Sequence, residues 1–138
     1  MPNQELMTFR NPVLNHFHQP RNVGLASAHN HSYLEDENPW GIRLLFTLRV
    51  EGGRIAEIKF KAQSCVTTVA CASKLTEMVE GQAVQEALAI TPQQLSVALG
   101  DIPSEKMYCC QLVVQTFRKA LESKSMNSTE DFPKGDTE

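Results

Sequence analysis

The chain has no basic surplus. Its 138 residues carry 13 Lys and Arg against 16 Asp and Glu, a formal charge of −3. No positive field exists to displace counterions from a phosphate backbone, which argues against nucleic-acid binding. Apolar runs of the length a bilayer demands are missing, so no membrane span is expected. The opening MPNQELMTFRNP has none of the apolar core of a secretory leader. A cytoplasmic address follows as an expectation, and there four cysteines are expected to be free or metal-binding rather than paired. Internal repeats are lacking too. No Ser–His–Asp order or carboxylate pair can be argued from the residues, so a binding or carrier protein is expected rather than an enzyme.

What is present is ordinary in bulk: 41% hydrophobic and 21% charged residues, the composition of one globular domain with a real core. Residues 1–8 read as a flexible N-terminus, 9–122 as the folded domain, and 123–138 as a disordered tail rich in Ser, Pro, Gly and acids. Asn11 to Phe17 fits a short helix with Pro12 in its first turn, broken by Pro20 and Gly24. His31 to Glu37 fits an edge strand. Arg43 to Val50 and Arg54 to Lys61 read as a hairpin about Gly52-Gly53, with a bulge or two-sided burial because Ile55 and Ile58 fall on opposite faces by strict alternation. Cys71, Leu75, Met78 and Val79 form one helical stripe that Gly81 ends. Ala83 to Leu88 is a turn or two, Thr91 caps a helix through Leu99, and the last helix opens at Ser104 or Glu105 and ends near Glu122. The class is α+β: a small antiparallel sheet covered on one face by helices.

Chemistry is expected where strand gives way to helix at FKAQSCVTTVAC. Cys65 stands at the mouth of that helix, whose unpaired N–H groups and dipole favour a thiolate. Cys109 nearly opens the last helix, so the two thiols can meet at one sheet edge and supply half of a tetrahedral zinc or iron–sulfur site. Cys110 points about 100° away from Cys109 on a helix and is a spare thiol, a resolving partner or a further ligand. Cys71 shares the core stripe. Lys106, one turn earlier, can depress the neighbouring thiols or simply be solvated. His16, His18, His29 and His31 make two His-x-His pairs, which are surface histidines or metal ligands.

The pieces His16-Phe17 with Pro20-Arg21-Asn22-Val23-Gly24, Gly41 before RLLFTLRV, Phe60-Lys61 with Cys65, Thr76-Glu77 with Gly81, and Pro103, Lys106 and Cys109 together resemble the NifU/IscU-type iron–sulfur cluster assembly scaffolds, from about Asn11 to Leu121. The resemblance implies a SufE/NifU-like sandwich that takes sulfur from a cysteine desulfurase, works with other assembly factors, and holds a [2Fe–2S] cluster or zinc on three cysteines aided by an aspartate and a histidine. Cys65 falls on the second of those cysteines, Cys109 on the third, and Lys106 on the lysine before it. Where the family has Cys-Gly-Asp this chain has Trp40-Gly41-Ile42, and Tyr108 replaces the histidine. Ser64 and Val66 replace the glycines around the second cysteine. Cys65 and Cys109, with Cys110 as a third thiol, are the candidate metal ligands; Trp40 and Tyr108 flank them, and a homo-oligomer, glutathione or a histidine can complete the set. Cys109, and after it Cys65, is the candidate for accepting sulfur, with Cys65 or Cys110 resolving a persulfide on Cys109. A metal-free paralogue that binds or relays sulfur from a desulfurase is the alternative.

Overall fold

The computed structural model describes residues 11–123; residues 1–8 and the tail beyond Ser123, for which flexibility is expected, lie outside them. Helix α1 (Asn11–His18) precedes strands β1 (His31–Glu35), β2 (Arg43–Glu51) and β3 (Arg54–Gln63). Helices α2 (Val66–Val79), α3 (Val84–Leu88), α4 (Pro92–Ala98) and α5 (Met107–Glu122) follow, with a 3₁₀ turn at Ser104–Lys106 leading into α5.

The sheet is an antiparallel meander in the order β1-β2-β3. Gly52 and Gly53 both adopt positive φ, 60° and 77°, as a two-residue turn matched to strand twist requires. Register runs Phe46 opposite Phe60 and Arg49 opposite Glu57, then slips so that Val50 faces Ile55. The extra residue in β3 resolves the conflict in its pattern: Ile55 and Ile58, three apart, are both fully buried because the bulge resets the alternation between them. β3 continues to Gln63, beyond the expected Lys61, because Ala62 and Gln63 pair with Leu44 and Arg43. β1 stops at Glu35, short of Glu37, where its pairing with Leu44 ends.

Leu44, Phe46 and Leu48 point to the helical layer, where Phe117 of α5 meets Phe46 edge-on with centroids 6.1 Å apart. Leu45 and Thr47 face the other way and are also fully buried. The cover there is the connection after α1. Its residues 22–24 bond to the edge of β3 through Phe60 N–H to Asn22 O and Gly24 N–H to Phe60 O, both 2.9 Å, and Ala26 N–H donates to Thr47 Oγ1 at 2.8 Å. Helices therefore occupy one face, and an ordered loop closes the centre of the other.

Helix α2 is buried nearly all round, including Thr67, Thr68, Ser73 and Thr76. It begins at Val66 with Cys65 itself as N-cap, and Gly81 with φ 86° follows its end. Thr91 closes a capping box with Gln94, the two bonds 3.1 and 3.0 Å long. Met107, later than Ser104 or Glu105, opens α5, because the 3₁₀ turn takes up Ser104–Lys106. Among the described residues no helix is long and apolar enough to cross a membrane.

Candidate dithiol site

Strand β3 delivers the chain to Cys65, whose extended backbone (φ −83°, ψ 173°) makes it the last residue before α2. Its side chain is exposed. Helix α5 carries Cys109, which is fully buried, and hydrogen bonding from its thiol heads the causes that lower the Cys65 pKa. Thr68 Oγ1 lies 3.6 Å from the Cys65 sulfur. The backbone N–H groups of Thr67 and Thr68 approach it without closing a cap of normal geometry. Against the cost of desolvation, these donors lower Cys65 to about 4. Cys109 moves the opposite way: its bond to Cys65 and then burial push its thiol well up. The two thiols are therefore shifted in opposite directions, the exposed one toward its thiolate. Lys106 is not among the causes of either shift.

Cys110 does not join this pair. It is fully buried and turned to Cys71, the sulfurs 3.5 Å apart. The third thiol expected beside Cys65 and Cys109 is thus in the core, because adjacent residues of a helix cannot face one way. Cys71 is core, as its stripe suggests.

The two positions where the resemblance places a cysteine and a histidine carry stacked rings. Trp40 lies over Tyr108 with centroids 4.8 Å apart and planes inclined by 21°. Trp40 remains 50% exposed. Tyr108 is next to Cys109, and the Cys109 sulfur first and burial second raise its phenol. Ile42, in the place of the aspartate, is buried in the core. Asn38 shapes this loop: its Oδ1 accepts from Trp40 N–H at 3.2 Å and Ile42 N–H at 3.0 Å, while its Nδ2 donates to Ile42 O at 2.9 Å. Gly41, at φ 70°, makes the reversal between the loop that carries Trp40 and β2. The sequence EDENP marks a turn, yet nothing in it singles out Asn38 as the residue that sets the indole in place.

Among the described residues no group of three or more His, Cys, Asp and Glu side chains is arranged to hold a metal ion. The His-x-His pairs are split. His16 is buried on Ser73, His29 Nδ1 lies 3.1 Å from Ala26 O, and His31 Nδ1 lies 3.1 Å from Ser123 O.

His16 belongs to a separate polar knot joining α1 to α2. Its Nδ1 is 2.6 Å from Ser73 Oγ and its Nε2 is 3.4 Å from Glu77 Oε1. Arg21 N–H donates to the same Ser73 Oγ at 2.9 Å, and Asn22 Nδ2 donates to Thr76 Oγ1 at 3.0 Å. A Ser, a His and a Glu in line suggest a nucleophile, but Ser73 is 0% exposed, so no substrate reaches it and the knot is a brace. Burial first and the Arg21 charge second hold His16 below its ordinary value, outweighing Glu77. Glu77 is therefore a bracing residue, paired with His16 and Arg21.

Residues 8–130 match the family described as NifU-like N terminal domain. An iron–sulfur cluster assembly scaffold protein, IscU, of Aquifex aeolicus is 34% identical over 116 residues, covering 83% of this chain and 74% of that protein. One of the IscU scaffold proteins of Archaeoglobus fulgidus is 33% identical over 113 residues, 82% of this chain and 74% of the relative. In three dimensions the chain is similar to the N-terminal part of a nitrogen-fixing NifU-like protein from Brucella abortus, with a TM-score of 0.65, 11% identity, and coverage of 82% of this chain and 91% of that one.

Proposed function

The chain belongs to the NifU-like N-terminal domain family, and from that membership we propose that it serves iron–sulfur cluster assembly as a sulfur-accepting member whose working group is Cys65 backed by Cys109. One observation carries the reading. Cys65 is exposed at the head of α2 and Cys109 is buried at the start of α5, while the positions of the other expected donors hold Trp40, Ile42 and Tyr108. A closed zinc or cluster site needs four good donors, and a phenol with an ordinary pKa of about 10 is a poor one. Two sulfurs are too few to hold such a group alone but suffice for exchange chemistry.

The step is simple. The Cys65 thiolate attacks the outer sulfur of a persulfide on a cysteine desulfurase; the new S–S bond forms on Cys65, and the enzyme's cysteine leaves as its thiolate. The roles expected of the two thiols are exchanged in this reading, since Cys65 is the accessible nucleophile and Cys109 the buried partner. The chain is then a carrier rather than a catalyst, with a cysteine desulfurase and other assembly factors as partners, in the cytoplasm. Incubating the Cys109→Ser variant with a cysteine desulfurase and L-cysteine should leave one added sulfur on Cys65, read by mass spectrometry after alkylation. The absence of that adduct would remove the proposal.

The same pair favours a second reading, in which Cys65 and Cys109 supply half the donors for a [2Fe–2S] cluster or zinc and a second copy or a small thiol supplies the rest. Metal analysis of freshly purified protein, followed by anaerobic reconstitution with iron and sulfide, separates the two. Stoichiometric metal or charge-transfer bands lost in Cys65→Ser would favour cargo binding over sulfur transfer.

A further inference from the structure

Two of the four cysteines stand apart from the head of α2. Cys71 is the sixth residue of α2 and Cys110 the fourth of α5, and their sulfurs are 3.5 Å apart. Both are fully buried within the main apolar core. Core packing accounts for either thiol as a small hydrophobe, but it does not require two sulfurs to meet. A disulfide bond is about 2.05 Å long, so an approach of about 1.5 Å from this contact would close one. The partners lie 39 positions apart, and the bond would fasten α2 to α5 across everything between them. Those are the helices whose leading ends carry Cys65 and Cys109.

We propose that Cys71 and Cys110 are a redox latch, closed by hydrogen peroxide into an interhelical disulfide that thiols do not reopen while the chain is folded. Burial sets both halves of that behaviour. With neither sulfur exposed, only an oxidant of near-water size enters on the small openings of a packed core. One sulfur attacks a peroxide oxygen; the S–O bond forms, the O–O bond breaks, and the departing hydroxide takes the thiol proton as water. The resulting sulfenic acid already faces the second thiol. That sulfur displaces the hydroxyl, the S–S bond forms, and the second proton leaves in another water. The two cysteines lose one electron each and the peroxide gains two. Contact makes the second step intramolecular, so a slow first oxidation is captured rather than lost. Reduction lacks this help. It needs a thiolate to reach a disulfide sulfur, and nothing the size of glutathione or a dithiol protein reaches this one. The inference is independent of the sulfur-accepting role proposed above, because it uses neither Cys65 nor Cys109.

The test uses the full-length protein, reduced, with the exposed thiol of Cys65 capped by iodoacetamide and the reagent removed. Hydrogen peroxide should then take two hydrogen atoms from its mass, and peptide mapping should join Cys71 to Cys110. Closing the bond should raise Tm by about 5–15 °C over the capped, reduced chain. Dithiothreitol should reopen it at least ~10-fold more slowly in native protein than in denaturant. Cys110→Ala and Cys71→Ala should each lose both the bond and the rise in Tm. Thiols that survive peroxide unpaired, a sulfinic acid in place of the bond, or a bond drawn to Cys109 overturns the proposal. So does a disulfide that dithiothreitol opens equally fast in folded and denatured chains.

Discussion

The indole of Trp40 lies flat on the ring of Tyr108, 4.8 Å between centroids, at the two positions where related scaffolds are expected to present a cysteine and a histidine. The pair puts two stacked rings at those positions, one of them adjoining Cys109 in the chain. Offset aromatic contacts contribute about 0.5–1.5 kcal/mol beyond the area they bury. Trp40→Ala should therefore raise the alkylation rate of Cys109 by about 2- to 10-fold while leaving Cys65 unchanged. Peptide-resolved alkylation is the measurement. As Trp40 is the sole tryptophan, a shift in its emission in Tyr108→Leu would report the same unstacking.

Cys65 should react as a thiolate across the neutral range. Its rate with iodoacetamide should be level from about pH 6 upward and fall by half near pH about 4. Because the Cys109 hydrogen bond is the first cause of that shift, Cys109→Ala should move the midpoint up toward the ordinary thiol range of about 8.5. A wild-type midpoint already at that value would contradict the assignment.

Native protein should expose one fast thiol. Ellman's reagent should titrate Cys65 at once and Cys71, Cys109 and Cys110 only after denaturation, since all three are fully buried. Cys71→Ala should cost about 1–2 kcal/mol in denaturant midpoint, the usual range for opening a small apolar gap. It should leave the Cys65 rate alone.

The brace between α1 and α2 should weaken in acid. His16 is held below its ordinary value, so above pH about 6.5 it is neutral in both folded and unfolded chains and its contribution is full. As pH falls below that value, the unfolded chain binds a proton that the folded chain resists, and stability declines until the folded histidine also titrates. His16→Gln should flatten this part of the stability profile relative to wild type. Ser73→Ala, which leaves His16 and the Arg21 N–H without their common partner, should cost about 1–3 kcal/mol.

Asn38→Ala should loosen the loop that carries Trp40, because three hydrogen bonds to residues 40 and 42 depend on it. A loss of about 1–3 kcal/mol is expected for these partly buried bonds, together with the same increase in Cys109 reactivity as Trp40→Ala. A stable variant with an unmoved Trp emission would show that the ring stack holds the loop, rather than the reverse.

Local chemistry made much of the molecule legible. The Gly52-Gly53 turn, the Thr91 cap with Pro92, the Cys71 stripe and the stop at Gly81 depend on residues a few positions apart, and backbone sterics or side-chain periodicity decide such features wherever they occur. The conflict between Ile55 and Ile58 announced a bulge for the same reason. Cys65 at the head of a helix was equally readable. What could not be read was how distant surfaces meet. Cys109 and Cys110 are neighbours with identical chemistry, and only the packing of α5 against α2 turns one to Cys65 and the other to Cys71. Nothing near Trp40 in the chain announces Tyr108, and the meeting of the two rings depends on Asn38 folding a loop across a gap of some seventy positions. The sequence by itself determined which groups are present and the local frame each sits in. Tertiary structure alone decided which thiol is shifted down and which is kept from water, because charge and exposure are properties of surroundings assembled from remote segments.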